Sequence, residues 1–491
     1  MGRPGDLFDR VDEWADLDGF AAGTRPGLDI GIVSGRRRQG KSYLLRRLAA
    51  THGGIYSLAL EEERRPALDR FGRGVTAALG LPAELRFEDW TRAVRLALGL
   101  DGGGRGRLVV LDEFPYLLRG SPELASALQA VYDDVRDESA ASGARLILCG
   151  SAFAIMSELL SGARPLRGRA RLDLVVRPFD FRLSREFWGI EDLDVAFRLH
   201  AIMGGTPGYR DLTDGAPQSL HELDGWLAAT VLNPAHALFG EADYLLREDP
   251  RITDRALYHS VLGAVAAGSS TPAAIGAALG RDARSLPHPL DVLQTAGFVR
   301  KTDDVLTRRR PSYGVADPII RFAMLVVRPR QDLYEERRAA TAWAASQDAF
   351  STRVLGPHFE ELAREWTRRF ASPATLGAPA GITGHAVIND PAGRAQHEVD
   401  VLVLAPEEQR HARQAVITAL GEAKATRRPR ALDDLARRGH IRSLLVDRGH
   451  DAGAARLLLF SRSGFGSELV TAAHDRRDVA LVDLPRLDHG D

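Results

Sequence analysis

Apolar and polar positions change their period along this chain, and the changes divide it into regions. Residues 29–34 form a short apolar run that reads as a buried strand, and a helical pattern follows over 43–48. Two more apolar runs, over 107–111 and 144–150, end in polar residues: Asp112 and Glu113 after the first, Ser151 after the second. Such strands, alternating with helices, predict a parallel sheet covered on both faces. From about 245 to 330, three helical stretches precede a hairpin. The second starts with Thr271 as N-cap and Pro272 in the first turn, and the third ends at Gly297. Pro287 and Pro289 are expected to interrupt that third helix. A mixed Arg/Ala stretch over 331–350 predicts one bridging helix, and an amphipathic helix starts near 356. Strands are expected over 398–404, 415–424, 455–460 and 479–484, with a helix at 468–474, in the order α-β-β-α-β-α-β.

The length, 491 residues, predicts two to four domains at roughly 100–200 residues each. A 44% hydrophobic and 27% charged composition excludes a disordered chain. The longest apolar runs, such as Phe322 to Val327, are too short to span a bilayer, so no membrane partner is expected. The first residues lack an apolar signal core, so a cytoplasmic protein is expected. A single cysteine, Cys149, excludes a disulfide framework and a multi-cysteine zinc site. It reads as a small core residue. The net charge of −1 leaves nucleic-acid contact to local patches. Of 65 basic residues only Lys41, Lys301 and Lys424 are lysines; the rest are arginines. A lysine kept in such a chain marks a place where a compact ammonium is wanted and a planar guanidinium is not. Lys301, after Arg300 on an apolar strand, reads as a solvated surface residue.

Lys41 lies in Gly35-Arg36-Arg37-Arg38-Gln39-Gly40-Lys41-Ser42, a GxxxxGK[ST] loop between a strand and a helix. The glycines let backbone N–H groups curl around phosphates, and the helix N-terminus adds positive potential. Lys41 is expected on the β- and γ-phosphates of ATP and Ser42 on Mg²⁺. Asp112 and Glu113 emerge at the carboxyl end of a strand, where ligands bind in open α/β sheets. Asp112 is expected to hold Mg²⁺ through water, and Glu113 to polarise the attacking water. Ser151 reads as a γ-phosphate sensor, a helix N-cap, or both.

The opening Phe8-Asp9-Arg10-Val11-Asp12-Glu13-Trp14-Ala15-Asp16-Leu17, the loop and the Asp112-Glu113 pair resemble the archaeal-type AAA+ ATPases, a branch close to the STAND signalling ATPases. Pro165-Leu166-Arg167-Gly168-Arg169 resembles that family's Arg-bearing segment, and Gly204-Gly205-Thr206-Pro207 its lid signature. The resemblance implies an ATPase domain over 1–215, with Arg167 or Arg169 acting on the γ-phosphate in this subunit or a neighbouring one. It implies a helical lid and winged helix-turn-helix over 216–330, with Arg308-Arg309-Arg310 either contacting phosphates on the wing or forming a solvated turn.

The region 351–491 resembles the restriction-endonuclease-like PD-(D/E)XK fold. Alternation puts Glu422 and Lys424 on one strand face, with Asp400 on the adjacent strand. Asp400 and Glu422, completed by Glu360, are expected to bind Mg²⁺ or Mn²⁺ while Lys424 orients a water toward phosphorus. Two functions follow. One is an ATP-dependent switch acting on DNA or RNA. The other is a signalling or scaffold ATPase whose nuclease-like domain binds protein. A homo-oligomer or a protein partner suits either.

Overall fold

A computed structural model describes residues 2–491 except 101–105, 138–142, 163–164 and 309–310. The chain forms two compact units. The first comprises Met1–Pro178 with Thr206–Gly208, and the second Phe179–Gly205 with Tyr209–Asp491.

The first unit is built on five parallel strands: β1 (Leu28–Ser34), β2 (Ile55–Leu58), β3 (Leu108–Asp112), β4 (Ala144–Gly150) and β5 (Ala170–Val175). Their spatial order is β2-β3-β4-β1-β5. Strands β1, β3 and β4 are buried along their whole length, which their near-continuous apolar sequences require. Period-2 alternation splits them between two cores. Ile30, Ile32, Val109, Leu111, Leu146 and Leu148 pack with Phe71 and Trp90 on one face. Val33, Val110, Ile147 and Cys149 pack with Leu44, Leu45 and Leu48 on the other. Burial also pushes the Cys149 thiol up, which fits an inert core residue. The order places the carboxyl ends of β1, β4 and β3 side by side, where a ligand site is expected.

The second unit begins with helices. Thr271 caps Pro272–Leu279 through Ala274 N (3.2 Å), as its sequence suggested. Pro287 and Pro289 do not interrupt a helix: Pro287–Thr295 starts at the first of them, where a missing N–H costs nothing. The hairpin pairs β6 (Val299–Thr302) with β7 (Ser312–Val315); Arg309 and Arg310 lie outside the described residues. The stretch expected to be one bridging helix is broken into Gln331–Glu335, Ala339–Ala344 and Gln347–Ala349. Arg337, at φ +62°, turns the chain out of the helical region between the first two.

A mixed sheet closes the unit: β8 (Thr383–Asp390), β9 (Ala395–Leu404), β10 (Ile417–Lys424), β11 (Arg456–Ser461) and β12 (Val479–Asp483). The first three are antiparallel and the last three parallel. β8 is an addition to the expected order, which becomes α-β-β-β-α-β-α-β. Its buried positions alternate, but Gly384, His385 and Asn389 weaken the apolar signal. One face of the sheet packs Val401, Val403 and Phe460 against Phe359 and Trp366. The other packs Leu402, Leu420 and Leu457 against Leu435, Ile441 and Leu445 of the helix Leu432–Asp447.

Candidate functional site

The loop after β1 is held open by its backbone. Gly35 has φ +149°, and a Cβ there would lie 2.5 Å from the Val176 carbonyl oxygen. Gly40 has φ +86° and Arg38 φ +64°. Gln39 stitches the loop internally, its Oε1 accepting from Arg36 N at 3.0 Å. Arg10 clamps it from the N-terminal segment, donating to the Gln39 carbonyl at 3.2 Å while pairing with Glu13 at 2.8 Å. Gly208 N donates to the Arg38 carbonyl at 2.9 Å. A Cβ on Gly208 would come within 2.8 Å of Arg38 Cβ, so the Thr206–Gly208 stretch needs its glycine to reach the loop. Lys41 opens the helix Lys41–Thr51 and is 5% exposed. Its Nζ donates to the Arg36 carbonyl at 2.9 Å, so the ammonium lies across the loop it belongs to. Ser42 follows it on the first turn, with Arg37 between Arg36 and Arg38 in the loop.

The carboxylates come from β3. Asp112 is fully buried. Its Oδ1 accepts the Glu113 N–H at 2.9 Å, and its Oδ2 accepts the Tyr56 hydroxyl. Burial and the adjacent carboxylate push Tyr56 well above an ordinary phenol, so it remains a donor to Asp112 at all working pH. Glu113 sits in the left-handed region at φ +54°, N-terminal to the helix Phe114–Gly120. For a non-glycine residue this is a strained conformation of the kind found at functional sites. Ser151, beyond β4, donates from Oγ to Glu113 Oε2 at 3.2 Å. It does not cap the next helix, whose N-cap is Ala152. Arg169 donates to both oxygens of Asp133, at 3.1 and 2.9 Å, and to the Pro165 carbonyl at 2.9 Å. Arg167 donates to the Gly162 carbonyl at 2.8 Å. Both arginines have partners within their own region. Tyr56, against Asp112, and Arg10, against the loop, are neighbours to which motif reading assigned no role. Tyr56 carries no pattern of its own on a four-residue strand.

The second lysine has other surroundings. Asp400 Oδ2 accepts Ala423 N at 2.8 Å across the β9–β10 pair, so the register brings Asp400 beside Glu422 as expected. Lys424 Nζ, however, lies 2.5 Å from Asp434 Oδ1 and 3.9 Å from Glu422 Oε2. Glu422 Oε2 is 2.5 Å from Arg430 Nη2, and its Oε1 is 3.6 Å from Arg438 Nη2. Both of those guanidiniums are buried. Arg364 stands 3.8 Å from Glu360 and donates to the Asp400 carbonyl at 3.0 Å. Burial and Asp400 push Glu360 up to about 7, and burial also raises Asp400. Burial opposes ionisation of Asp434, but Arg430 and Lys424 outweigh it and hold that carboxyl well below its usual range.

This donor set does not fit the divalent cation expected of it. Glu422 and Asp434 are met by Arg430, Arg438 and Lys424, and Glu360 stands 3.8 Å from Arg364. Among the described residues, ligand atoms of Glu360, Asp400 and Glu422 do not all come within 4.8 Å of one another. Arg430, Arg438 and Asp434 were invisible as site residues because they sit in an arginine-rich stretch with no motif.

No family model matches the chain. An uncharacterised protein of Methanocaldococcus jannaschii is 23% identical over 314 residues, 62% of this chain and 65% of that protein. The chain therefore matches just under two thirds of that relative's length. Among solved structures, the Walker-type ATPase of Pyrococcus abyssi is similar at 21% identity and TM-score 0.46, over 66% of this chain and 97% of that one. The Aeropyrum pernix ORC2 protein, solved as ADPNP–ADP complexes, is similar at 12% identity and TM-score 0.45, over 69% and 96%. No helix of the described residues is long and apolar enough to cross a membrane.

Proposed function

We propose that this protein is a P-loop ATPase that works as an ATP-dependent switch. The observation that carries the reading is the convergence of Lys41, Asp112, Glu113 and Ser151 at the carboxyl edge of three adjacent strands, with Glu113 hydrogen-bonded to Ser151. The loop fits a nucleotide: Gly35 and Gly40 hold the positive φ angles that curl it, a Cβ at Gly35 would strike the Val176 carbonyl, and Lys41 rests on a backbone carbonyl that a phosphate oxygen can replace. Backbone N–H groups of residues 35–42 would take the phosphates, and Ser42 and Asp112 would hold Mg²⁺. Bound Mg²⁺ would supply charge neutralisation on the phosphates. Asp112 is kept in place by Tyr56, and Glu113 is aimed by its strained backbone and by Ser151. Glu113 then takes the proton of the attacking water. Ser151 links the Glu113 carboxylate to β4, so the two strand ends act together.

The switch reading rests on the chain path. Thr206–Gly208 packs on Arg38 of the loop, yet the residues on both sides of it belong to the other unit. A change in the loop therefore pulls on a segment tethered at both ends to that unit.

For the second unit we favour a non-catalytic binding module over a nuclease, because arginines meet the Glu422 carboxylate. The hairpin with its preceding helices suits a winged helix. Its helix Pro287–Thr295, however, exposes Pro287, His288, Asp291 and Gln294, without a lysine or arginine to meet phosphates. A protein partner suits this face better than DNA or RNA.

The test is turnover. The purified chain should hydrolyse ATP with Mg²⁺, and Glu113→Gln should bind ATP while turnover falls about 10²–10⁴-fold. Wild-type turnover in that variant would remove the base role from Glu113. Incubation with plasmid and single strands in Mg²⁺ or Mn²⁺ should give no cleavage; cleavage abolished by Lys424→Ala would restore the nuclease.

A further inference from the structure

Apart from both lysine sites, the sheet of the second unit brings together a different set of donors. Asp390 ends β8 and His397 lies on β9, where the register pairs Asp390 with Ala395 and Ile388 with His397. Asp390 and His397 are therefore diagonal neighbours on one face. His440 reaches the same place from the helix Leu432–Asp447 that covers that face. Asp390 Oδ2 lies 3.1 Å from His440 Nε2 and 3.5 Å from His397 Nε2. Among the described residues, this trio brings its ligand atoms within 4.8 Å of one another. The other oxygen of Asp390 is occupied by Gly393 N at 2.8 Å, which fixes the carboxylate and leaves Oδ2 turned to the imidazoles. A Cβ at Gly393 would strike Asp390 Oδ2 at 2.5 Å, so the turn is shaped around this carboxylate.

The His397 ring is short of partners. Its Nδ1 is buried without a hydrogen bond, and its Nε2 has only the 3.5 Å approach to Asp390. A cation would occupy Nε2, the nitrogen turned toward Asp390, in place of that long approach. The spacing suits one. Ligands about 2.0–2.1 Å from a tetrahedral zinc stand about 3.3–3.4 Å apart, between the two separations observed here.

We propose that Asp390, His397 and His440 form a binding site for a zinc-class divalent cation. Two imidazole nitrogens and one carboxylate select Zn²⁺ or Co²⁺ over Mg²⁺ and Ca²⁺, which prefer all-oxygen sites. Three protein ligands leave a fourth position for water. His440 is half exposed, so solvent and metal reach it. The bound ion clips the β8–β9 turn to the middle of the covering helix.

The experiment uses the full chain, free of any histidine tag and stripped with chelator, titrated with Co²⁺ and followed by its visible absorption. One Co²⁺ per chain should bind with the intense bands of tetrahedral coordination. Zn²⁺ should displace it, while Mg²⁺ and Ca²⁺ should not. His440→Ala changes an exposed side chain and should keep the fold by circular dichroism. It should weaken Co²⁺ binding by more than about 100-fold, beyond the 10–100-fold an outer-shell partner is worth. His440→Cys should retain binding and add a sulfur-to-cobalt band. Lys41→Ala and Glu422→Gln should bind Co²⁺ as wild type does. Absence of a saturable site in the wild type, or unchanged binding in His440→Ala, would overturn the proposal.

Discussion

Lys41 and Lys424 each share a region with an aspartate and a glutamate, yet they belong to different kinds of site. Lys41 holds a backbone carbonyl at 2.9 Å, and the carboxylates of its site are arranged by Tyr56 and Ser151. Lys424 is locked to Asp434, while Arg430 and Arg438 face Glu422. A motif states which charges are present. Whether they are spent on one another depends on neighbours that the motif does not contain. A neutral partner on a cation can be exchanged for a phosphate. A buried ion pair can be opened only at the cost of leaving its partner charge unpaired.

The largest effect tests the closed cluster. Arg430→Met should take the buried guanidinium from Glu422, lowering stability by about 3 kcal/mol in urea unfolding of the full chain; a loss below about 1 kcal/mol would mean the cluster is solvated. Next, Lys41→Arg should weaken ATP binding roughly 100-fold, about 3 kcal/mol, since a planar head cannot occupy a slot shaped for an ammonium. Equal affinity by fluorescent-nucleotide titration would show that charge alone suffices. Ser151→Ala should slow turnover by about tenfold with binding unchanged, the worth of one hydrogen bond to a carboxylate. Steady-state kcat and KM separate the two.

A pH dependence tests the carboxylate that Arg364 does not hold closely. Burial and Asp400 raise Glu360 from 4.5 to about 7. An acid raised on folding contributes stability below its unfolded value and loses it as pH climbs through the folded one. Wild type should therefore lose stability between about pH 4.5 and about pH 7 from this group, and Glu360→Gln should not. The stabilising effect of Glu360→Gln should grow from about pH 5 to about pH 8 in thermal melts; a constant difference would remove the shift.

Sequence reading went furthest where pattern and chemistry coincide. The strand, loop and helix around Lys41 follow from an apolar run, two glycines and a rare lysine, and β3 and β4 from apolar runs with polar ends. It failed where the deciding feature was long-range. β8 is half buried and polar on its other face, so its period is blurred by Gly384, His385 and Asn389. Pro287 and Pro289 read as breakers, but a proline starts a helix as readily as it ends one, depending on where the preceding turn stops. Arg430 and Arg438 look like any other arginines in this chain until folding brings them against Glu422.

The central claim is that the Lys41 loop, and not the Lys424 cluster, takes the phosphate. Its most direct test is one titration of a fluorescent ATP analogue with Mg²⁺ into wild type, Lys41→Ala and Lys424→Ala. Lys41→Ala should lose binding, and Lys424→Ala should match wild type. Wild-type affinity in Lys41→Ala, or its loss in Lys424→Ala, would contradict it.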